Sequence, residues 1–432
     1  MASCVAAARS LTVPLTAEGA GFVTTAVLRD ALPELQATSH GVLHLSAAAG
    51  ARGRAALTLL PRADDARGVL AALRRLSSEQ AGCSGDDDAA DFLQALVGVS
   101  LALPVAGGAL ALGTGREQQE VVALSFAAEG DRGSELEVVC TLFEGGRVGT
   151  AGQTTLRTQR RGCTLSHDQA ISAVPAAAMR ALQGPATLSL WMQDTGASLT
   201  LNENCDPDVR HDMAACFRRI VPEDKLQRAL FARADEGADA CAAIVLRVLV
   251  GSGLCLPVGQ QDGRVCTGTW QGVWLNEHRN GPAERAVTAE LLPARAQATL
   301  SVNAGGRGTM DITSSVDAIV AEAGVDDGVA HVFVRHTSAS CCIAAARFSP
   351  RLEDAFSNVV PRAWHYDFFR HTAEGEDDMV GHVKSTLIGA TCSVPVRSGQ
   401  LRLPDGAAVL LVEHRDGGGF GSSSRQIIVT VQ

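Results

Sequence analysis

A five-residue string occurs three times in the chain and decides the reading of its fold. Residues 101–105 read Leu-Ala-Leu-Pro-Val, residues 254–258 read Leu-Cys-Leu-Pro-Val, and residues 392–396 read Cys-Ser-Val-Pro-Val. In each copy the proline follows a glycine by six positions, in the pairs Gly98 and Pro104, Gly251 and Pro257, and Gly389 and Pro395. Self-similarity of this kind indicates that one structural unit is used repeatedly. The chain is therefore predicted to contain three copies of one unit.

The sequence around each copy follows one pattern. Upstream lies an apolar, alternating strand that a glycine opens, at Gly41, Gly184 or Gly328. A helix-like stretch precedes that strand, as in residues 22–32, and more strands follow the proline string. We place repeat one at residues 8–143, repeat two at 153–292 and repeat three at 296–432. The pattern predicts an α+β fold of three tandem domains with antiparallel sheets and helices, arranged as an intrachain pseudo-trimer.

Composition narrows the classes of function. The chain has 432 residues, is 46% hydrophobic and carries a formal net charge of −10. An acidic chain lacks the basic face that nucleic acid requires, and no apolar run reaches the ~18–20 residues of a membrane helix. We therefore expect neither a nucleic-acid partner nor a membrane partner. The 12 cysteines form no Cys-x-x-Cys pair, which favours buried thiols in a reducing compartment and a cytoplasmic location.

Repeats two and three contain distinctive polar motifs. In repeat three, His336-Thr337-Ser338-Ala follows a strand, and residues 371–384 read His-Thr-Ala-Glu-Gly-Glu-Asp-Asp-Met-Val-Gly-His-Val-Lys. In repeat two, residues 202–212 read Asn-Glu-Asn-Cys-Asp-Pro-Asp-Val-Arg-His-Asp, residues 268–271 read Gly-Thr-Trp-Gln, and residues 277–279 read Glu-His-Arg. These motifs resemble those of the YjbQ-like family, whose members are associated with a thiamine-phosphate synthase activity. The resemblance implies single domains that associate as homotrimers.

The motifs divide between the two repeats. Repeat two has Asp194 in place of His336, Arg233 in place of His371, Ile244 in place of His382 and Leu246 in place of Lys384, whereas repeat three lacks the Asn-Glu-Asn and Gly-Thr-Trp-Gln motifs. If a family site lies within one protomer, no repeat is complete. If it lies between neighbours, repeats two and three together make one site. We favour the second interpretation, because random loss does not leave complementary halves.

The residue types suggest acid–base or metal chemistry. The candidate catalytic residues are His336, Glu203, His371, His382 and Glu277, because a carboxylate can act as general base beside imidazoles that titrate near neutral pH. The candidate substrate-binding residues are Thr337, Ser338, Asn202, Asn204, Trp270, Gln271 and Lys384. The candidate ligands of a divalent metal (Zn²⁺, Mn²⁺ or Mg²⁺) are His371, Asp377, Asp378 and His382. Asp378 and His382 stand four residues apart, which puts them on one face of a helix.

Structural roles remain open for several of these residues. Acids at a helix start complement its dipole, Asp206 or Asn204 fits a helix N-cap, and Trp270 fits a core position at a strand start. Lys384 and Arg210 fit a phosphate or an ordinary ion pair. The resemblance implies a thiamine-phosphate synthase-like transferase with a phosphorylated small-molecule substrate, and the closed ring predicts a monomer. The alternatives are a metal-assisted hydrolase or phosphotransferase, and a non-catalytic small-ligand-binding scaffold.

Overall fold

The structure is a computed structural model that describes residues 5–23, 25–50, 54–113, 118–127, 135–145, 150–259, 262–417 and 424–432. Within these residues one arrangement occurs three times: a larger antiparallel sheet, a three-stranded antiparallel sheet, and two long helices beside the smaller sheet. This confirms the predicted α+β fold with three tandem repeats. No helix in the described part of the chain has the length and apolar character needed to span a membrane.

Repeat one contains eight strands and three α-helices among the described residues. The strands are β1 (Val5–Pro14), β2 (Ala20–Val23), β3 (His40–Gly50), β4 (Ala55–Leu60), β5 (Ser100–Ala106), β6 (Ala109–Leu110), β7 (Glu120–Ser125) and β8 (Glu135–Glu144), and the helices are α1 (Thr25–Ala31), α2 (Ala66–Arg75) and α3 (Asp86–Val97). The sheet orders are β1-β8-β3-β5-β6 and β2-β7-β4. The helix expected over residues 22–32 is shorter than predicted, because the extended pairing of β2 with β7 takes its first residues.

Repeat two has the same plan. Its strands are β9 (Ala151–Thr158), β10 (Gly162–Leu165), β11 (Ala186–Met192), β12 (Ala197–Glu203), β13 (Gly253–Val258), β14 (Gln271–Glu277) and β15 (Ala283–Pro293), and its helices are α4 (His167–Ile171), α5 (Ala176–Arg180), α6 (Pro207–Ile220) and α7 (Ala238–Val250). The sheet orders are β13-β11-β15-β9 and β10-β14-β12. Every pairing is antiparallel, as the sequence predicts.

Repeat three completes the series. Its strands are β16 (Ala296–Asn303), β17 (Gly308–Asp311), β18 (Asp327–Val334), β19 (Ala339–Ala345), β20 (Thr391–Arg397), β21 (Gln400–Leu401), β22 (Ala407–Glu413) and β23 (Ser424–Val431), and its helices are α8 (Thr313–Ala323), α9 (Ser349–Val359), α10 (Trp364–Asp367) and α11 (Asp378–Ile388). The sheet orders are β16-β23-β18-β20-β21 and β17-β22-β19.

The recurring glycine ends the second long helix of each repeat. Gly98, Gly251 and Gly389 directly follow α3, α7 and α11, with φ of 87°, 92° and 95°. This left-handed region is open to glycine and costly for residues with a Cβ. Each glycine amide donates to the carbonyl four residues earlier, in Gln94, Arg247 and Ser385. The fixed spacing from glycine to proline therefore reflects one helix end followed by one strand.

The repeats close into a ring around a pseudo-threefold axis. In addition to packing on the small sheet of its own repeat, each of these helices contacts that of a neighbour: α3 contacts β19, α7 contacts β4, and α11 contacts β12. The three larger sheets meet at the centre, where β5, β13 and β20 contact one another. A small apolar cluster joins the three repeats there, formed by Val42, Phe143, Leu292 and Val329. The α11–β12 contact is the boundary that joins the motifs of repeats two and three.

Candidate functional site

Asn202, at the end of β12, joins repeat two to helix α11. Its side chain is fully buried, and its Nδ2 donates to the carbonyl oxygen of His382 at 2.9 Å and to Oγ1 of Thr386 at 2.7 Å. These bonds fix the amide orientation, so Asn202 Oδ1 accepts from Nδ1 of His382 at 2.7 Å. The proton on Nδ1 leaves the Nε2 lone pair of a neutral His382 free to bind.

His371 is held between carboxylates from both repeats. Its Nδ1 lies 2.6 Å from Oδ2 of Asp206, and its Nε2 lies 2.8 Å from Oδ2 of Asp378. Asp206 is also the N-cap of α6, where it accepts from the amide of Asp208. Oδ2 of Asp212 accepts from the backbone amide of His371 at 3.0 Å. The helix start in repeat two thus positions an imidazole of repeat three.

Three buried groups converge at the N-terminal end of α11. Nε2 of His382 lies 3.3 Å from the same Oδ2 of Asp378 that contacts His371. The ligand atoms of His371, Asp378 and His382 all lie within 4.8 Å of one another. The other oxygen of Asp378 pairs with Arg415 at 2.5 Å. Two imidazoles and one carboxylate, with each Nδ1 anchored by a second group, form a set that suits a divalent transition metal or Zn²⁺.

Electrostatics at the site favour charged forms. Burial opposes protonation of His371, but its bonds to Asp378 and Asp206 outweigh that cost and raise its pKa to about 9. Burial likewise opposes ionisation of Asp378, yet the bonds from His371 and His382, together with Arg415, hold its pKa far below the usual range. Glu203 behaves differently, because burial raises its pKa despite the neighbouring His382. Glu203 is thereby shifted toward the range of a general base.

The residues that follow β12 form the rim. Glu203 Oε1 accepts from the amide of Cys205 at 3.1 Å. Asn204 donates from its amide to the carbonyl of Trp270 at 2.8 Å, and its side chain donates to the carbonyl of Thr269 at 3.1 Å. The Trp270 side chain is 57% exposed. The alternative prediction, that Trp270 occupies a core position, is therefore wrong. Its exposed ring can stack on a flat ligand.

His336 lies at the repeat boundary beside Gln271. Nε2 of Gln271 donates to the carbonyls of His336 at 2.7 Å and of Val334 at 3.0 Å. His336 Nδ1 accepts from the amide of Ser338 at 3.1 Å. Burial and the charges of Arg425, His382 and Arg415 lower the pKa of His336 to about 3, so its imidazole is neutral. The carbonyl of Thr337 accepts from Oγ of Ser385.

Three of the candidate residues are engaged elsewhere. Nζ of Lys384 is buried and lies 2.5 Å from Oε1 of Glu353, so it faces the interior of repeat three. Glu277 stands at the opposite end of β14 from Gln271, and both of its oxygens accept from Arg285, at 2.7 and 2.8 Å. Asp377 accepts from the amide of Asp416 and pairs with Arg415. The structure does not bring these three to the histidines.

Sequence reasoning gave no role to several residues that position the site. Asp212 lies in the quoted motif of residues 202–212, and Thr386 lies two positions beyond the motif of residues 371–384. Their partners belong to the other repeat, so spacing along one motif carried no signal for them.

Arg210 has one guanidinium nitrogen, Nη1, that is buried without a hydrogen-bond partner among the described residues. That nitrogen is a donor suited to an anion.

The other two boundaries carry different residues at the matching positions. Helix α7 places Ile244 where α11 has His382, counted from the glycine that ends each helix. Helix α3 places Asp91 there, and Asp91 pairs with Arg347 of repeat three at 2.6 Å and with Arg54 at 3.5 Å. Within the described ranges, the two-histidine, one-carboxylate group therefore occurs at one boundary of the ring.

Comparisons with known proteins agree with this architecture. The family model described as "UPF0047 protein YjbQ-like" matches residues 153–294 and 298–432. The UPF0047 protein YjbQ of Escherichia coli O157:H7 is 47% identical over 104 residues, which cover 24% of this chain and 71% of that protein. The UPF0047 protein sll1880 of Synechocystis sp. is 37% identical over 103 residues, 24% of this chain and 67% of that protein.

Solved structures of the same kind also match. The conserved hypothetical protein TT1486 of Thermus thermophilus is 27% identical, with a TM-score of 0.27, and the match covers 32% of this chain and 98% of that one. The fold defines a chain of three repeated α+β domains. The chain belongs to the UPF0047 protein YjbQ-like family.

Proposed function

We propose that the chain is an enzyme with one active site, at the boundary of repeats two and three, that acts on phosphorylated small heterocycles in the manner of thiamine-phosphate synthesis. The observation that carries this proposal is the convergence of His371 Nε2 and His382 Nε2 on one oxygen of Asp378. Each histidine is anchored through its other nitrogen by a residue of repeat two. The three ligand-type residues belong to repeat three, and repeat two supplies the side chains that orient both imidazoles.

His371, with its pKa raised to about 9, brings one proton to this group, and a metal ion would have to replace that proton, whereas His382 faces the same carboxylate oxygen. Asn202 accepts a hydrogen bond from Nδ1 of His382, so a neutral His382 presents a lone pair to a carboxylate that also has only lone pairs. Either a proton on Nε2 or a metal ion removes that repulsion. A divalent cation bound to His371, Asp378 and His382 would supply Lewis-acid stabilisation of phosphate oxygens. Asp206 and Asn202 would then act as the residues that orient the ligating imidazoles.

The remaining residues supply substrate contacts and proton transfer. Trp270 offers an exposed aromatic face to a pyrimidine or thiazole ring. The guanidinium of Arg210, which is partly exposed as a side chain, could contact a phosphate oxygen. In the joining reaction the thiazole nitrogen forms a bond to the pyrimidine carbon that bears the diphosphate, and the bond from that carbon to the diphosphate oxygen breaks. Glu203, whose pKa burial raises, can in its protonated form donate to the departing diphosphate. Lys384 has no part in phosphate binding, because Glu353 and the protein interior enclose it.

A metal-assisted hydrolase is the second candidate, and the raised pKa of Glu203 favours it, because the same carboxylate can accept a proton from water. The two candidates differ in their products. Incubation with a pyrimidine diphosphate and a thiazole phosphate yields a joined thiamine phosphate and free diphosphate in the first case. In the second case it yields inorganic phosphate without a joined product. Chromatography of the reaction mixture distinguishes them.

We expect His382→Ala and Glu203→Ala each to lower the activity by at least about 100-fold, which is the usual contribution of an acid–base residue. The double variant should be little worse than either single one, because residues that act as a unit are not additive. Ile244→Ala and Pro61→Ala alter the matching positions in repeats two and one and should retain wild-type activity. Full activity in the double variant of His382 and Glu203 would contradict the shared site.

A further inference from the structure

A second cluster of ligand-type side chains lies where the three larger sheets meet, far from the motifs described above. His44 of β3, Cys255 of β13 and His331 of β18 have ligand atoms that all lie within 4.8 Å of one another. All three residues are buried, with 5%, 7% and 4% of their surfaces exposed. Each repeat contributes one of them. The cluster thus lies at the pseudo-threefold axis.

Sheet register explains how the three side chains meet. His44 pairs with Ala102, Ser189 pairs with Cys255, and His331 pairs with Ser393. His44, Ser189 and His331 are therefore equivalent positions, and so are Ala102, Cys255 and Ser393. The three repeats place different side chains at these positions, so the axis has one thiol and two imidazoles.

The hydrogen bonding of the cluster is incomplete. Nδ1 of His331 lies 2.8 Å from Oγ of Ser393, and its Nε2 lies 2.8 Å from Oε1 of Gln432. His44, in contrast, contacts the rings of Phe143 and His331, and its Nδ1 has no hydrogen-bond partner among the described residues. A buried polar nitrogen without a partner costs about 1–3 kcal/mol. A bound cation would satisfy it.

We propose that His44, Cys255 and His331 form a Zn²⁺ site on the pseudo-threefold axis, with one ligand from each repeat. Two imidazoles and one thiolate are ligand types that Zn²⁺ prefers, and Zn²⁺ takes them in a tetrahedral arrangement with a fourth position open. Ligand atoms that each lie about 2.0–2.3 Å from one Zn²⁺ are roughly 3.3–3.7 Å from one another. Side-chain rotations that move the ligand atoms by about 1 Å would therefore complete the coordination of the metal. The thiol proton of Cys255 leaves when the cation binds.

Burial acts differently on the two kinds of ligand, because it raises the pKa of the Cys255 thiol to about 12, so the cation itself has to displace the thiol proton. Burial keeps both imidazoles neutral: it lowers the pKa of His331 to about 4 and the pKa of His44 well below its usual value. Neutral imidazole is the form that binds a metal. Gln432 accepts a hydrogen bond from Nε2 of His331, as the partners of ligating histidines do, so Nδ1 would be the ligand atom and the cation would replace its contact with Ser393. The site holds no positively charged side chain among these residues, so a cation meets no local repulsion.

A cavity lies on the pseudo-threefold axis, close in sequence to the cluster positions. It has a volume of about 140 Å³ and is lined by equivalent segments of all three repeats, including Ser100, Gly253 and Thr391. In repeat two its lining continues to Leu254, the residue before Cys255. In each of β5, β13 and β20 the cluster position lies two residues beyond the lining residue, on the same face of the strand.

Cobalt titration tests the proposal, because Co²⁺ takes zinc sites and a thiolate ligand gives it a near-ultraviolet charge-transfer band. Titration of the full chain with CoCl₂ should give that band at one Co²⁺ per chain, and ZnCl₂ should abolish it. The metal-ligand group of the candidate functional site, His371, Asp378 and His382, contains no cysteine, so a thiolate band is not expected from it. The band should therefore survive His371→Ala combined with His382→Ala.

Each test variant introduces the residue that another repeat already has at the equivalent position. Cys255→Ala reproduces Ala102 of repeat one, and His44→Ser reproduces Ser189 of repeat two, so both variants are expected to fold. Both should lose the cobalt band and the zinc-dependent rise in Tm, whereas Cys241→Ala, a buried thiol of α7, should retain them. No band in the wild-type chain, or a band that persists in folded Cys255→Ala, would overturn the proposal.

Discussion

Asn202 is the residue on which the two halves of the candidate site depend. It is fully buried and forms bonds with the side chain of His382, the carbonyl of His382 and the hydroxyl of Thr386. Repeat one has Leu60 at the equivalent strand position, also fully buried. The same space in the fold therefore accepts an apolar side chain where no histidine faces it.

This comparison gives a prediction for Asn202→Leu. The variant should fold, as the environment of Leu60 does, but it leaves Nδ1 of His382 without its acceptor. We expect a loss of about 1–3 kcal/mol in the free energy of unfolding, measured by urea denaturation. Affinity for Zn²⁺ or Mn²⁺ at the His371 and His382 site should fall about 10–100-fold by calorimetry. Unchanged metal affinity would show that Asn202 does not orient His382.

At the scale of single residues, the sequence predicts local relations well. The four-residue spacing of Asp378 and His382 gave the shared helix face, and Asp206 was one of two N-cap candidates. It fails where a partner is distant along the chain. Lys384 resembled a phosphate ligand because its partner, Glu353, lies 31 residues away and belongs to another helix. Local spacing contains no information about such a pair.

Glu353 and Lys384 lie on helices α9 and α11 and form a buried ion pair inside repeat three. Glu353 of α9 contacts Lys384 of α11 and also lies 2.8 Å from Nδ1 of His414. Burial alone would raise the pKa of Glu353, but His414 and Lys384 outweigh it and lower the pKa below its usual value. Repeat two has Ala214 and Leu246 at the equivalent helix positions, so its helices pack without this ion pair.

A double-mutant cycle on these helices should show strong coupling. Glu353→Ala and Lys384→Leu each leave one buried charge without its partner, and each should cost about 3–5 kcal/mol. The double variant reproduces the apolar pair of repeat two and should cost less than the sum of the two single variants. The free energies of unfolding from denaturant titration check this. Additive losses would mean that the two charges do not interact.

The sequence also predicts helices and strands from local patterns and fails for contacts between distant segments. The glycine that ends α3, α7 and α11 and the proline string of the next strand reveal the repeats, because both are needed within one short segment. The axial cluster of His44, Cys255 and His331 could not be predicted in this way. Its members are aligned only by the sheet register, and each lies in a different repeat.

The whole molecule is a ring in which three equivalent boundaries have diverged. One boundary holds the histidine group, one has Ile244 in its place, and one holds the ion pair of Asp91 with Arg347. A homotrimer of identical subunits must change all three boundaries together, because its symmetry copies every residue. A single chain does not have this constraint, because each of its repeats has its own sequence. Three repeats in one chain can therefore hold different side chains at their three boundaries.

The closed ring leads to a prediction about assembly. Helix α11 packs on β12, α7 on β4 and α3 on β19, so the surface that joins protomers in a cyclic trimer is used within one chain. We expect a monomer of 44.8 kDa in solution by light scattering coupled to size-exclusion chromatography. The mass should stay constant on dilution, because no subunit interface dissociates. A stable species of three times that mass would show that the chain keeps another surface for trimer formation, and the intrachain ring would then not replace the trimer.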